Sequence, residues 1–288
     1  MWQQAATALQ PIENKAYFAS FGDGLLVWDK TNDTFEVFNK NNQSSFPNNQ
    51  VSAVVTDFSG NLWVAFYDVG ILSSILKKAP NQDNWESFRF PNAQFPVQLI
   101  LDDAQNLWIR FDPEKGGKIL TFDKNGDRRT LSTSPINGEL PSNKILTMVN
   151  DKSGNIWVGT AEGLRVFTNA ANTISRGQFA ASRVFFNGRT LFRDDKITAI
   201  DVDGGNNKWI ATEEGLFQFD DNADYLLENL NTENSPLLSN TIIDLDINDT
   251  TGEIFIATDK GLISYRGKAT EGFRKHENVK VFPNPVPP

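Results

Sequence analysis

Cysteine is absent from the 288 residues, which excludes disulfides, thiol chemistry and cysteine-based zinc sites and leaves the redox compartment open. Histidine occurs once, at His276, close to the C-terminal end. A Ser-His-Asp triad or a histidine-rich metal site therefore has no histidine to draw on in the body of the chain. No apolar run approaches the roughly 20 residues that a membrane-spanning helix needs. There is no basic run either: net charge is −9, spread along the chain, which argues against nucleic acid and anionic membrane surfaces as partners. Met1-Trp2-Gln3 has neither the positive start nor the apolar core of a signal peptide, so the chain reads as cytoplasmic or as an excised piece. No stretch is long and periodic enough to require a helix.

What is present repeats. An Asp is followed six residues later by an aromatic, then by a Gly-hydrophobic pair. Asp151-Lys152-Ser153-Gly154-Asn155-Ile156-Trp157, with Gly159-Thr160 and Gly163-Leu164 behind it, is the cleanest copy. Asp57 to Trp63, Asp102 to Trp108, Asp203 to Trp209 and Asp249 to Phe255 keep the same offset, and a weaker copy places Phe18 in the aromatic slot with Gly24-Leu25 behind it. The aromatics at 18, 63, 108, 157, 209 and 255 are spaced by 45, 45, 49, 52 and 46 residues. A period of that size, built from short alternating strands and tight turns, indicates a β-propeller.

The expected fold is all-β, a propeller of about six four-stranded blades over 1–267. Seven blades would follow only if 168–195 contains a degenerate one. In the fourth unit the strands read as 145–150, 156–160, 164–167 and 183–186. In the second they read as 51–56, 62–66, 71–76 and 85–90. Residues 5–9 supply the inner strand of the first unit. The last unit lacks an evident outer strand. Trp2-Gln3-Gln4 resembles the outer-strand start Trp85-Glu86-Ser87, so an N-terminal strand closes the ring and removes two exposed sheet edges; the alternative places 275–281 there. Residues 268–277 read as a linker, and 279–288 as the first strand of a following domain.

Each candidate chemistry has a plainer counterpart. The repeated Asp57, Asp102, Asp151, Asp203 and Asp249 suggest calcium. An EF-hand-type loop, however, needs alternating ligands and a closing bidentate Glu, and no copy supplies both. An Asp opening a tight turn bonds that turn's own amides. Trp63, Trp108, Trp157 and Trp209 could stack on sugars, but their equivalence around the ring favours packing between blades; Phe255 is the structural aromatic of the last copy. Carboxylates are too plentiful to single out a glycosidase pair. No metal or cofactor is expected.

The informative positions are those that break the repeat. Two residues past the aromatic, five units carry Ser20, Ala65, Gly159, Ala211 and Ala257, whereas the third carries Arg110. The turn after Arg110 is long, and the second unit is irregular at the same place, at Tyr67 and Asp68. Both turns should share a face with the long inter-blade connectors, where propeller ligands commonly bind. Arg110, Tyr67, Asp68, Asp112, Glu114 and Lys115 are therefore the candidate ligand-binding residues. Arg offers a planar fork for carboxylates or phosphates, and Tyr67 a ring for a sugar. The plainer reading is a variable surface turn whose Arg is satisfied by Asp112 or Glu114.

The motif Asp-x-x-Gly-Asn-hydrophobic-Trp-hydrophobic-Gly-Thr followed by Gly-Leu, carried by 151–164 and with substitutions by 57–71, 203–216 and 249–262, resembles the two-component regulator propeller repeat. Val281-Phe282-Pro283-Asn284-Pro285-Val286 resembles the opening of the C-terminal domains of the Bacteroidetes type IX secretion system. The combination is similar to the PorZ-type surface propellers of that system. The resemblance implies a non-catalytic binding or scaffold propeller, periplasmic or at the cell surface, that helps attach secreted cargo. Its implied partners are anionic lipopolysaccharide or oligosaccharide, or secretion-system proteins. The alternative is the oligosaccharide-sensing ectodomain of a hybrid two-component system; the third reading is a carbohydrate-active enzyme, a glycosidase or lyase.

Overall fold

The computed structural model describes residues 7–10, 14–67, 74–90 and 94–270. They form an all-β propeller array of six principal antiparallel sheets in chain order. The first sheet comprises Thr7–Gln10, Lys15–Ser20, Gly24–Asp29 and Thr34–Phe38. The second comprises Val51–Thr56, Leu62–Phe66, Ile75–Lys78 and Trp85–Phe88. The third comprises Pro96–Leu101, Leu107–Phe111, Ile119–Phe122 and Arg128–Leu131. The fourth has three strands, Ile145–Asn150, Ile156–Thr160 and Gly163–Phe167. The fifth has Ala199–Val202, Lys208–Thr212, Gly215–Phe219 and Leu226–Leu230. The sixth again has three, Ile242–Asn248, Glu253–Thr258 and Gly261–Arg266. Two 3₁₀ turns, Pro113–Lys115 and Ala170–Asn172, interrupt the connections.

Among the described residues the apolar core is divided into five slabs, one between each consecutive pair of sheets. This follows from strand alternation: one face of each sheet meets the preceding sheet and the other meets the next. The repeated tryptophans lie on the forward face, and none of the four is more than 8% exposed. Their six-residue offset from Asp has a direct cause. The indole N–H of Trp63, Trp108, Trp157 and Trp209 donates to Asp57, Asp102, Asp151 and Asp203 at 3.0, 3.0, 2.8 and 3.1 Å. The other carboxylate oxygen accepts the turn amides, as Asp151 does from Ser153 and Asn155, both at 2.9 Å. One Asp thus closes the turn and satisfies the only polar atom of a buried ring.

The Gly of the Gly-Leu pair is set by the next hairpin. Gly163 and Gly215 hold φ near +128° and +129°, and a Cβ there would meet the carbonyl of Arg193 or Leu230 within 2.5 Å. The small residue two past the aromatic is explained by packing: a Cβ on Gly159 would lie 2.5 Å from Ile197 of the next unit.

Several expectations change. In the first sheet the register pairs Ala19 with Leu25, as Ala211 pairs with Leu216. The aromatic slot is therefore Tyr17, which is buried, and the small position is Ala19; Phe18 and Ser20 face the other way. Ala8 lies opposite Tyr17, the place of Asp201 opposite Trp209, so the first strand sits two residues off the expected alignment. In the second sheet the third strand begins at Ile75. The expected outer strand of the fourth unit, 183–186, is not a strand of its sheet, which the chain meets at the Ser182–Val166 bridge just before it; Phe185–Phe186 instead pairs with Arg189–Thr190. In the sixth unit the turn is one residue longer, because Asp246 pairs with Phe255 where Asp201 pairs with Trp209. Asn248 takes over the capping of the turn amides, and Asp249 instead forms an ion pair with Lys152 of the fourth unit at 2.9 Å. Trp2-Gln3-Gln4, 275–281, the linker and His276 lie outside the described residues.

Lys208 is fully buried at the junction of the fourth and fifth sheets. Its ammonium donates to the carbonyls of Asn206 and Asp221 at 2.8 and 2.6 Å, sits 3.1 Å from Asp151 and lies 5.3 Å from the Trp157 ring centroid. Burial lowers its pKa and Asp151 opposes that shift. A desolvated cation persists there because every side of it is compensated.

Candidate functional site

The turns between second and third strands, with the inter-unit connectors, bring most of the candidate residues to one face. Tyr67 directly follows the second strand of its sheet and is fixed by its backbone: its N–H donates to the Gln50 carbonyl at 2.9 Å, and its carbonyl accepts from Asn48 Nδ2 at 2.8 Å. Its hydroxyl donates to Asp112 Oδ2 at 2.5 Å. The Tyr67 ring makes edge contacts with Phe21 at 5.1 Å and Phe95 at 5.0 Å. Three units thus contribute to one aromatic shelf. Asp112 also caps the 3₁₀ turn by accepting from the Glu114 N–H at 2.9 Å, with Pro113 at its first position.

Phe95 adopts φ +64°, a left-handed conformation that is unusual for a bulky residue. The Asp112 N–H donates to its carbonyl at 2.9 Å, holding it in place. Strain of this kind collects where a side chain must be aimed; here it turns the Phe95 ring toward Tyr67. The Lys115 ammonium lies 5.8 Å from the Phe95 centroid. Glu114 and Lys144 form an exposed ion pair at 3.0 Å, worth little to stability. Asp68 lies outside the described residues.

Arg110 is placed differently from the others. It is 6% exposed, its Nε donates to Gln98 Oε1 at 2.8 Å and its Nη1 donates to the Ile145 carbonyl at 3.2 Å. Gln98 in turn donates to the Met148 carbonyl and accepts from the Met148 N–H, at 2.8 and 3.2 Å. Where other units use a small residue, Arg110 and Gln98 make a polar clasp from the third sheet to the fourth. Burial pushes the guanidinium down to about 10, opposed by the nearby carboxylates of Asp244 and Asp112. Arg110 is therefore a buried tie between the third and fourth sheets and not a member of the shelf.

Sequence reasoning missed Phe21 and Phe95. Phe95 stands directly before Pro96 in an inter-unit connector, and an apolar ring at such a place was the available signal.

Acidic groups collect where the first strands of the fifth and sixth sheets meet. Asp201 accepts from the N–H of Val202 at 2.8 Å and of Ile247 at 2.9 Å. Burial raises its pKa to about 7, and Asp246 and Asp249 add to the rise. Burial and Asp249 raise Asp246 as well. Both Asp201 oxygens are committed to backbone donors, which suits a junction strut better than an acid catalyst. No cluster of metal-ligating side chains occurs among the described residues.

Residues 139–162 match the two component regulator propeller family. No curated protein matches the chain in sequence. Among solved structures the chain is similar to PorZ, an essential bacterial surface component of the type-IX secretion system of Porphyromonas gingivalis. The TM-score is 0.78 at 25% identity, over 98% of this chain and 41% of that one. The chain thus spans about two fifths of PorZ. It is also similar to the extracellular domain of the putative hybrid two component system BT4673 from B. thetaiotaomicron (TM-score 0.50, 18% identity, 90% of this chain and 38% of that one). A catalytically inactive virginiamycin B lyase from Staphylococcus aureus with quinupristin gives a TM-score of 0.64 at 11% identity, over 91% and 80%. At such identities the last two show the propeller fold alone.

Proposed function

We propose that this chain is a non-catalytic binding or scaffold propeller of the cell envelope, periplasmic or at the cell surface, which helps attach secreted cargo. It contacts its partner through the connector face. The observation that carries this reading is the likeness to PorZ over 98% of the chain. The shelf of Phe21, Tyr67 and Phe95, with Asp112, Glu114 and Lys115 at its edge, supports an amphipathic partner: rings offer an apolar plane and the carboxylates and lysine offer hydrogen bonds and charge. Anionic lipopolysaccharide, an oligosaccharide or a secretion-system protein each have that character.

The test is a binding screen of the purified protein against lipopolysaccharide and neutral oligosaccharides at low and high salt. Lipopolysaccharide binding that weakens with salt, and that falls at least tenfold in Tyr67→Ala and in Lys115→Gln, is the expected result. Salt-independent binding of a neutral oligosaccharide would favour the second reading, a sensor ectodomain, which the BT4673 likeness motivates at the level of fold. Binding unchanged by both substitutions would remove the connector face from the reading.

A further inference from the structure

The repeat provides its own control at the opposite face, where the Asp turns lie. Beside three of the four slot tryptophans, the space between neighbouring sheets is filled from within. At Trp108 it is filled by Phe167 and Phe179, stacked at 5.4 Å. At Trp157 Lys208 fills it, and at Trp209 it holds Gln218, bonded to Asp203 at 3.0 Å, and Tyr265 at 6.0 Å. Beside Trp63, where Lys77 lies 5.1 Å from the ring centroid, the space between the second and third sheets is only partly filled. A cavity of about 430 Å³ lies there, with Trp63, Phe88 and Phe122 on its walls and Lys77, Glu86 and Lys124 among its polar groups. That volume falls in the range of roughly 300–1,000 Å³ typical of small-molecule sites.

We propose that this cavity binds a small zwitterion with an apolar body, the chemistry of a free apolar α-amino acid or of a short peptide. The three rings receive the apolar part: Trp63 packs 5.1 Å from Phe88 and 5.6 Å from Phe122, leaving an aromatic wall beside the opening. Charge of both signs stands around it. Lys77 lies 4.0 Å from Glu86, at the limit of an ion pair, and 5.1 Å from the Trp63 ring centroid, so its ammonium stands between the aromatic wall and Glu86. Lys124 comes from the third sheet's outer turn, across the cavity. A ligand carboxylate meets Lys77 and Lys124, and a ligand ammonium meets Glu86. Asp123 is occupied by the amides of its own turn, Asn125 and Asp127. A pure anion would meet Glu86 and Asp123, a pure cation the two lysines, and a neutral sugar would use the charge of neither sign. A second cavity of about 280 Å³ lies beyond the Lys77–Glu86 pair and shares both residues. It gives a following peptide residue somewhere to go. This reading is independent of the connector face.

The experiment is an NMR titration of the purified protein, following the Trp63 indole resonance. The probes are L-phenylalanine, phenylacetate, phenethylamine, glucose and the dipeptide Phe-Gly. L-Phenylalanine should shift that resonance, with both single-charge analogues at least tenfold weaker. Lys124→Gln and Glu86→Gln, both conservative, should each weaken it at least tenfold with the melting temperature unchanged. Tighter binding of Phe-Gly extends the site into the second cavity; weaker binding assigns it to the free amino acid. The proposal is overturned if phenylacetate or phenethylamine binds as well as the zwitterion, if glucose competes, if both variants bind normally, or if no probe moves the Trp63 signal.

Discussion

At Arg110 a position that elsewhere holds Ala or Gly carries a guanidinium, and its hydrogen bonds show what the change accomplishes. Two donors reach Gln98 and the Ile145 carbonyl, so the residue joins two sheets where methyl contact does so elsewhere. Arg110→Ala should cost about 1–3 kcal/mol, the range for losing charge-assisted bonds and stranding a buried partner. A lower urea midpoint with an unchanged m-value would register it, and an unchanged midpoint would return Arg110 to the role of a free binding group. The sequence made Arg110 conspicuous as a break in the repeat but could not tell burial from exposure. That distinction depended on Gln98, twelve residues earlier and outside the motif. The same limit applied at Asp249. One added turn residue passed its role to Asn248, while the six-residue count to Phe255 still looked regular.

At the level of strands, legibility followed how many anchors a unit possessed. Units two to five each offered an Asp, a turn and a Trp, and in the second and fourth the inner and second strands could be placed residue for residue. The first lacked the Asp, leaving an aromatic pair, Tyr17-Phe18, to choose between. A slip of one residue exchanges the two faces of a strand, and the choice fell on the wrong ring. The second unit's long turn and the insertion at 168–195 hid strand limits for the same reason: nothing periodic marks them. The forward face gives a sharp comparison. Leu216 and Leu262 follow the same Gly of the repeat, yet Leu216 is 0% exposed and Leu262 is 68% exposed, because among the described residues only the former has a sheet packed over it. Leu216→Ala should cost about 2–5 kcal/mol, and Leu262→Ala within about 0.5 kcal/mol of nothing. Parallel denaturant titrations decide this. Equal losses would mean that Leu262 is covered in solution.

For the molecule as a whole, pH acts through the acidic junction of the fifth and sixth sheets. Between the ordinary value of 3.8 and about 7, the folded chain keeps a proton on Asp201 that the unfolded chain releases. Stability from this group is therefore full below that window, falls as pH rises through it, and is gone above about 7. Asp246, raised as well, adds in the same sense. Melting temperatures from pH 4.5 to 8 should decline with this slope. Asp201→Asn should flatten it, at the cost of one backbone acceptor, and an unaltered slope would assign the effect elsewhere.

Lys208 has a different use at the same scale. Amine-reactive reagents need a deprotonated, accessible nitrogen, and this one is capped by two carbonyls and Asp151 with no exposed surface. It can be labelled only when the fourth and fifth sheets part. Its modification rate, set against that of the surface lysines, is a clock for the breathing of a single joint in the array.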